Sequence, residues 1–141
     1  MDLTNTDLTD IDSGVVLLDV PDGDGLFEHE MLERLGHPVV ECNGPAPDGI
    51  CPLLMAAPCA LFEQARGIVF ELDLDRSQHR AILDRYQELA PDDLPIRVVV
   101  RPGQKEAYAE DLADVVVWDH EPSIADLDGF AAQIEAVERF G

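Results

Sequence analysis

Basic side chains are scarce in this chain: nine Lys and Arg stand against 30 Asp and Glu in 141 residues, a net charge of −21 with a pI near 4.1. Such a surface repels a phosphate backbone and an anionic lipid face, which argues against nucleic-acid and membrane partners. A hydrated acidic shell suits a high-salt environment, and that reading outweighs an acidic patch made for a basic partner. Aromatics are few as well, 6% against 46% hydrophobic residues overall. The core must therefore come from Val, Leu, Ile and Ala, the composition of a parallel sheet covered on both faces.

No apolar run nears the roughly 20 residues of a membrane span. The N-terminus lacks the basic and hydrophobic regions of a signal peptide, which sets a cytoplasmic expectation. Three cysteines are too few for a disulfide framework, and in that compartment they are expected as thiols or ligands. There is no nucleophile elbow, phosphate-binding glycine loop or dinucleotide fingerprint; Asp22-Gly-Asp-Gly25 has two glycines but no third at the required distance. No enzyme class is indicated.

What is present is a regular alternation. Residues 1–13 are acidic and poor in apolar side chains, an expected disordered tail, and 14–141 make one domain. Gly14-Val-Val-Leu-Leu-Asp19 reads as a strand buried on both faces, and a helix over Leu26 to Leu35 places Phe27, Met31 and Leu35 on one side before Gly36 stops it. Pro38 to Cys42 is a second, short strand. Asn43 to Pro58 is irregular, with four prolines; a short helix begins inside it and runs toward Gln64, with Pro58 as a break.

The central strand is the run Gly67-Ile-Val-Phe-Glu-Leu-Asp-Leu-Asp75, which ends in carboxylates. Ser77 caps the next helix, which carries Ile82, Leu83, Tyr86 and Leu89 at helical spacing. Pro95 to Val100 and Ala113 to Trp118 are the last two strands, separated by a short helix through Tyr108 and Leu112. Ser123 and Asp126 form a capping-box start for a final helix burying Leu127, Phe130, Ala131, Ile134 and Val137. Five strand–helix units with short loops predict a three-layer α/β, flavodoxin-like (βα)5 fold, a doubly wound parallel sheet of order 2-1-3-4-5. Its crevice is expected to gather Asp19, Glu71 or Asp73, Val100 and Glu121.

These runs carry a resemblance. Val15-Val-Leu-Leu-Asp19 with Gly36-His-Pro-Val-Val40 resembles the opening of the receiver domains of two-component response regulators. Ile68-Val-Phe-Glu-Leu72 resembles their phosphoacceptor strand, Leu94 to Val100 their fourth strand, and Ala113 through Pro122 their fifth with its Lys-Pro. The likeness spans Val15 to Arg139.

In that family an acidic pair holds Mg²⁺, an Asp takes the phosphoryl group, and a Ser or Thr and a Lys read and clamp it. Asp19 keeps the first acid, but Val20 replaces the second; Glu71 stands at the acceptor, with Asp73 two residues on and facing the same way. Val100 takes the hydroxyl position and Glu121 the Lys position, where a carboxylate repels the incoming group. The resemblance then implies a pseudo-receiver: a non-catalytic, unphosphorylated signalling domain that binds a protein partner or pairs as a homodimer. Tyr108, Trp118 and Phe130 are the candidate contacts.

Two alternatives stay open. One is an atypical phosphoacceptor at Glu71 or Asp73, beside which Asp19, Asp22, Asp24, Glu71, Asp73 and Glu121 are a candidate Mg²⁺ or Ca²⁺ cluster, against the plainer reading of these as solvated acids. The other is a redox or metal sensor built on Cys42, Cys51 and Cys59 with His37, whose spacings lack the tight pair of a structural zinc site. His29, His79 and His120 have no partners at ligand or triad spacing and are expected on the surface.

Overall fold

The computed structural model describes residues 15–45, 51–55 and 59–140. Strand β1 (Val15–Asp19) leads to helix α1 (Leu26–Arg34) and β2 (Val39–Cys42). A 3-10 turn (Pro52–Met55) and α2 (Ala60–Gln64) precede β3 (Ala65–Phe70) and α3 (Ser77–Leu89). Then come β4 (Ile96–Val99), α4 (Gln104–Ala107), β5 (Val116–Trp118) and α5 (Ile124–Phe140). The strands pair in parallel in the order β2-β1-β3-β4-β5, as the alternation predicts. The expected tail over 1–13 and the break at Pro58 lie outside the described residues.

Strand alternation splits the core into two layers. Leu17, Ile68, Phe70 and Val98 pack with Ile82, Leu83 and Tyr86 of α3 on one side of the sheet. Val16, Leu18, Val20, Val69 and Trp118 pack with Leu32 of α1 and Leu127, Phe130 and Ile134 of α5 on the other. Gly67 sets how closely α5 can approach: a Cβ there would lie 2.7 Å from Ile134 Cδ1 and 2.8 Å from Phe130 Cζ.

The helices differ from their sequence patterns in instructive ways. In α1 the buried residues are Glu28 and Leu32, whereas Phe27 is exposed. Gly25 enters the helix at φ +82°, with Val20 packed where a Cβ would be, and this fixes the helix's rotation so that Glu28 faces the strand ends. Ser77 is the first residue of α3 rather than its cap, and Leu89 at its end is exposed. The irregular segment yields two short pieces, the 3-10 turn and α2. α4 ends at Ala107 and passes through turns to the buried Leu112. The expected capping box forms at α5: Ser123 Oγ accepts from the Asp126 N–H at 3.1 Å, and Asp126 Oδ2 accepts from the Ser123 N–H at 2.9 Å.

Candidate functional site

Register decides which side chains meet at the ends of the strands. Asp19 pairs with Phe70, and Phe70 with Val98, so Asp19 faces the α3 side together with Leu17 and Phe70. One residue further, Glu71 is level with Val20 and Val99 and faces the α1–α5 side. The two carboxylates of the expected crevice thus project from opposite faces of the sheet. Val100, too, packs on the α3 side, buried with Leu112, and the β4 residue level with Glu71 is Val99. Asp73 is held elsewhere. It accepts from Gln104 Nε2 at 3.0 Å and from the Asp75 N–H at 3.0 Å, and pairs with Arg101 at 2.8 Å. Burial alone would raise its pKa, but these contacts together, the Asp75 N–H first among them, outweigh it and lower the pKa.

Of the five predicted residues only Glu71 and Glu121 remain within electrostatic reach of each other. Glu71 sits in an acidic crevice with Glu28 from α1, Asp24 from the loop after β1 and Glu121 from the loop after β5. Burial, then the hydrogen bond with Glu28 and the charges of Glu28, Asp24 and Glu121, push its pKa up to about 9, and its Oε2 is buried without a hydrogen-bond partner. At neutral pH this carboxyl keeps its proton. A protonated carboxyl is a poor nucleophile, and its acidic surroundings offer nothing to neutralise an incoming phosphoryl group.

Asp19 enters a different environment. It is fully buried, and among the described residues neither carboxylate oxygen makes a well-formed hydrogen bond, although the Tyr86 hydroxyl and Cys42 thiol lie near enough to interact weakly. Burial raises its pKa to about 7, offset in part by the Tyr86 hydroxyl and Cys42 thiol beside it. It faces a cavity of about 300 Å³ whose walls include Cys42, Cys51, Cys59 and Tyr86. The three cysteines, distributed over β2, the start of the 3-10 turn and the start of α2, are therefore neighbours in space. All three are free thiols. Burial raises the Cys42 thiol to about 11, with the Asp19 charge adding to it, and burial also raises Cys51.

No protein-family model matches the chain, and no curated protein matches it. Among solved structures it is similar to a pilus assembly-related protein of Burkholderia pseudomallei K96243. That match has 16% identity and a TM-score of 0.58, over 86% of this chain and 91% of the other. It is equally similar to a response regulator protein of Burkholderia multivorans, at 16% identity and TM-score 0.58 over 86% of this chain and 94% of that one. The fold is that of a receiver domain. The likeness rests on backbone and topology, in agreement with the sequence patterns of the five strands.

A receiver fold implies a Mg²⁺ ion at the acceptor, and the residues here do not fit one. Asp19 points through the sheet to the other face, Val20 is apolar, and Glu71 holds a proton. Among the described residues no group of three or more His, Cys, Asp or Glu side chains is placed to hold a metal ion, in the crevice or at the cysteines.

The remaining predicted residues separate as well. His37 does not join the cysteines: it is buried below α5, its Nε2 3.0 Å from Glu135 Oε2. Trp118 and Phe130 are buried against each other, edge to face at 6.4 Å, and are core rather than contact residues. Tyr108 is half-buried, donating to Asp75 at 2.7 Å under the Arg80 guanidinium. His29 lies against Glu33 and Glu41, and His120 bonds Asp126, so both have carboxylate partners; His79 is buried, contrary to expectation.

Sequence reading missed Glu28 and the role of Tyr86. Glu28, Met31, Leu32 and Leu35 follow the i, i+3, i+4, i+7 spacing of a buried helix face, but Phe27, Met31 and Leu35 offer a competing stripe.

Proposed function

We propose that this chain is a non-catalytic, receiver-like signalling module that works through protein contacts and does not accept a phosphoryl group. The observation that carries this reading is the position of Glu71: the acceptor-equivalent carboxyl is protonated and surrounded by Glu28, Asp24 and Glu121. A receiver switch also needs a hydroxyl at the end of β4, and both Val99 and Val100 lack one. Incubation of the full chain with acetyl phosphate and Mg²⁺ should give no phosphoryl mass gain, and beryllofluoride should leave its amide NMR spectrum unchanged. A stoichiometric adduct lost in Glu71→Gln would overturn the reading.

The partner side of the module is the β4–β5–α5 side, where the edge strand β5 leaves Val116 half exposed. Pairing of two copies there is the arrangement we favour, in the cytoplasm, with sedimentation velocity as its test. A dimer lost in Val116→Asp supports it, and a monomer at every concentration removes it.

A redox sensor is the second reading, supported by the three thiols around one cavity. It is the weaker one, because the raised Cys42 and Cys51 pKa values keep both as slow-reacting thiols. Counting free thiols before and after mild peroxide treatment separates it from the first.

A further inference from the structure

A receiver-like module can act as a regulator without phosphorylation if something else occupies it. The crevice around Glu71 offers only mutually repelling acids, and the groove by Arg97 has that guanidinium already engaged with Gln133 and with the Trp118 and Phe130 rings. The Asp19 cavity differs from both. It is a partly open, mostly apolar pocket of about 300 Å³, bounded by Leu17, Ile82 and the three cysteines. Among the described residues its one carboxylate, Asp19, is fully buried; neither oxygen makes a well-formed hydrogen bond, and the nearby Tyr86 hydroxyl and Cys42 thiol offset its burial only in part.

An unpaired buried carboxylate is one of the costlier groups a fold can carry. Among the described residues nothing basic lines the cavity. The groups that face Asp19 are the Tyr86 hydroxyl from α3, the Cys42 thiol from β2 and, further off, Cys51; all are acids, and none supplies a counter-charge. An anionic ligand would be repelled by Asp19, and a purely apolar one would leave it without a counter-charge. A ligand with N–H donors and a positive charge satisfies both at once, while its body fills the apolar walls.

We propose that this cavity is a binding site for a small organic cation, a primary or secondary ammonium group on a compact apolar body, paired with the Asp19 carboxylate. By the volume one water takes in the liquid, the space holds on the order of ten non-hydrogen atoms. The thiols of Cys42, Cys51 and Cys59 and the Tyr86 ring supply its soft, polarisable walls. The proposal does not depend on the signalling role above, and it assigns that face of the sheet a ligand whichever partner the other face meets.

The test uses the full chain with butylamine, cyclohexylamine and benzylamine as probes, and benzyl alcohol and benzoate as neutral and anionic matches to the last. Saturable NMR shifts at Asp19, Cys42 and Tyr86 are expected with at least one amine and with neither match. Asp19→Asn should weaken that amine about ten-fold or more, since it keeps the shape and removes the charge. As a measurement on the unaltered protein, the amine should protect the three cysteines from alkylation, and its affinity should rise from about pH 6 to about pH 8 as Asp19 ionises. Any of four results overturns the proposal: no amine binds; benzyl alcohol binds as well as benzylamine; Asp19→Asn binds undiminished; or Zn²⁺ competes the amine out with release of thiol protons.

Discussion

Glu71 costs this protein stability wherever it is forced to ionise. Its pKa is about 9 in the folded chain against an ordinary 4.5, so the folded state holds the proton more tightly than the unfolded one. The resulting stabilisation is full below the unfolded value and is lost as pH rises toward 9. Asp19, raised from 3.8 to about 7, acts in the same direction. Asp73, lowered by Asp75, Gln104 and Arg101, acts in the opposite one, and its contribution disappears only on strong acidification.

Maximal stability is therefore expected on the acid side, near about pH 4. Chemical denaturation should show the protein weakening between about pH 5 and about pH 8, and Glu71→Gln should flatten that slope. At about pH 8 the variant should be more stable by roughly 1–3 kcal/mol, because Gln is neutral in both states and takes up no proton on folding. A slope unchanged in Glu71→Gln would show that this carboxyl is not the group that titrates. The facing of Asp19 was not legible beforehand, for a physical reason. A strand buried on both sides has no polar alternation, so Val15-Val-Leu-Leu-Asp19 does not show to which layer its last residue belongs.

Among the elements, β3 and α5 are coupled through an absence of side chain at Gly67. Gly67→Ala would drive a methyl to 2.7 Å from Ile134 and 2.8 Å from Phe130. Both are fully buried, so neither can swing into solvent. A loss of about 1–3 kcal/mol is expected in urea denaturation. Ile134→Ala alone should cost about 2–5 kcal/mol through its cavity. Combined, the two changes should cost clearly less than their sum, because each provides what the other lacks; strict additivity would show that the contact is relieved some other way.

At the start of α5, Ser123→Ala should cost about 1 kcal/mol through the lost capping bond, read by the same method. That cap was readable from Ser123 and Asp126 alone. The rotation of α1 was not read, because Phe27, Met31 and Leu35 make an apolar stripe as regular as the true one, and only the left-handed entry at Gly25 selects between them.

For the whole molecule, charge is the dominant collective property. With −21 on 141 residues, self-repulsion acts on every surface acid, and several of the few cations are already engaged in local pairs such as Arg101–Asp73 and Arg85–Glu88. Screening should therefore stabilise the fold. The melting temperature is expected to rise by several degrees between low salt and about 1 M NaCl, where the screening length falls to roughly 3 Å. A melting temperature that falls or stays level would mean that local ion pairs, not net repulsion, dominate. Strand order was legible because each apolar run is short, bounded and joined by a brief connection, which leaves few ways to wind a parallel sheet. The cavity was not, since Asp19 and Tyr86 are distant in sequence from Cys42, Cys51 and Cys59 and meet them only when β1 and α3 are brought to the cysteine segment.

The chain's single tryptophan gives the molecule a built-in optical reporter of one layer. Trp118 is buried between β5 and α5, edge-on to Phe130 and beneath the Arg97 guanidinium, on the opposite side of the sheet from Asp19. Its emission should shift to the red when α5 leaves the sheet and stay constant when the other face changes. Tyr86, stacked on Phe62 at 5.2 Å beside Asp19, is the chromophore of that other face. Two colours of intrinsic absorbance and emission thus distinguish, without labels, an event in one layer from the opening of the whole.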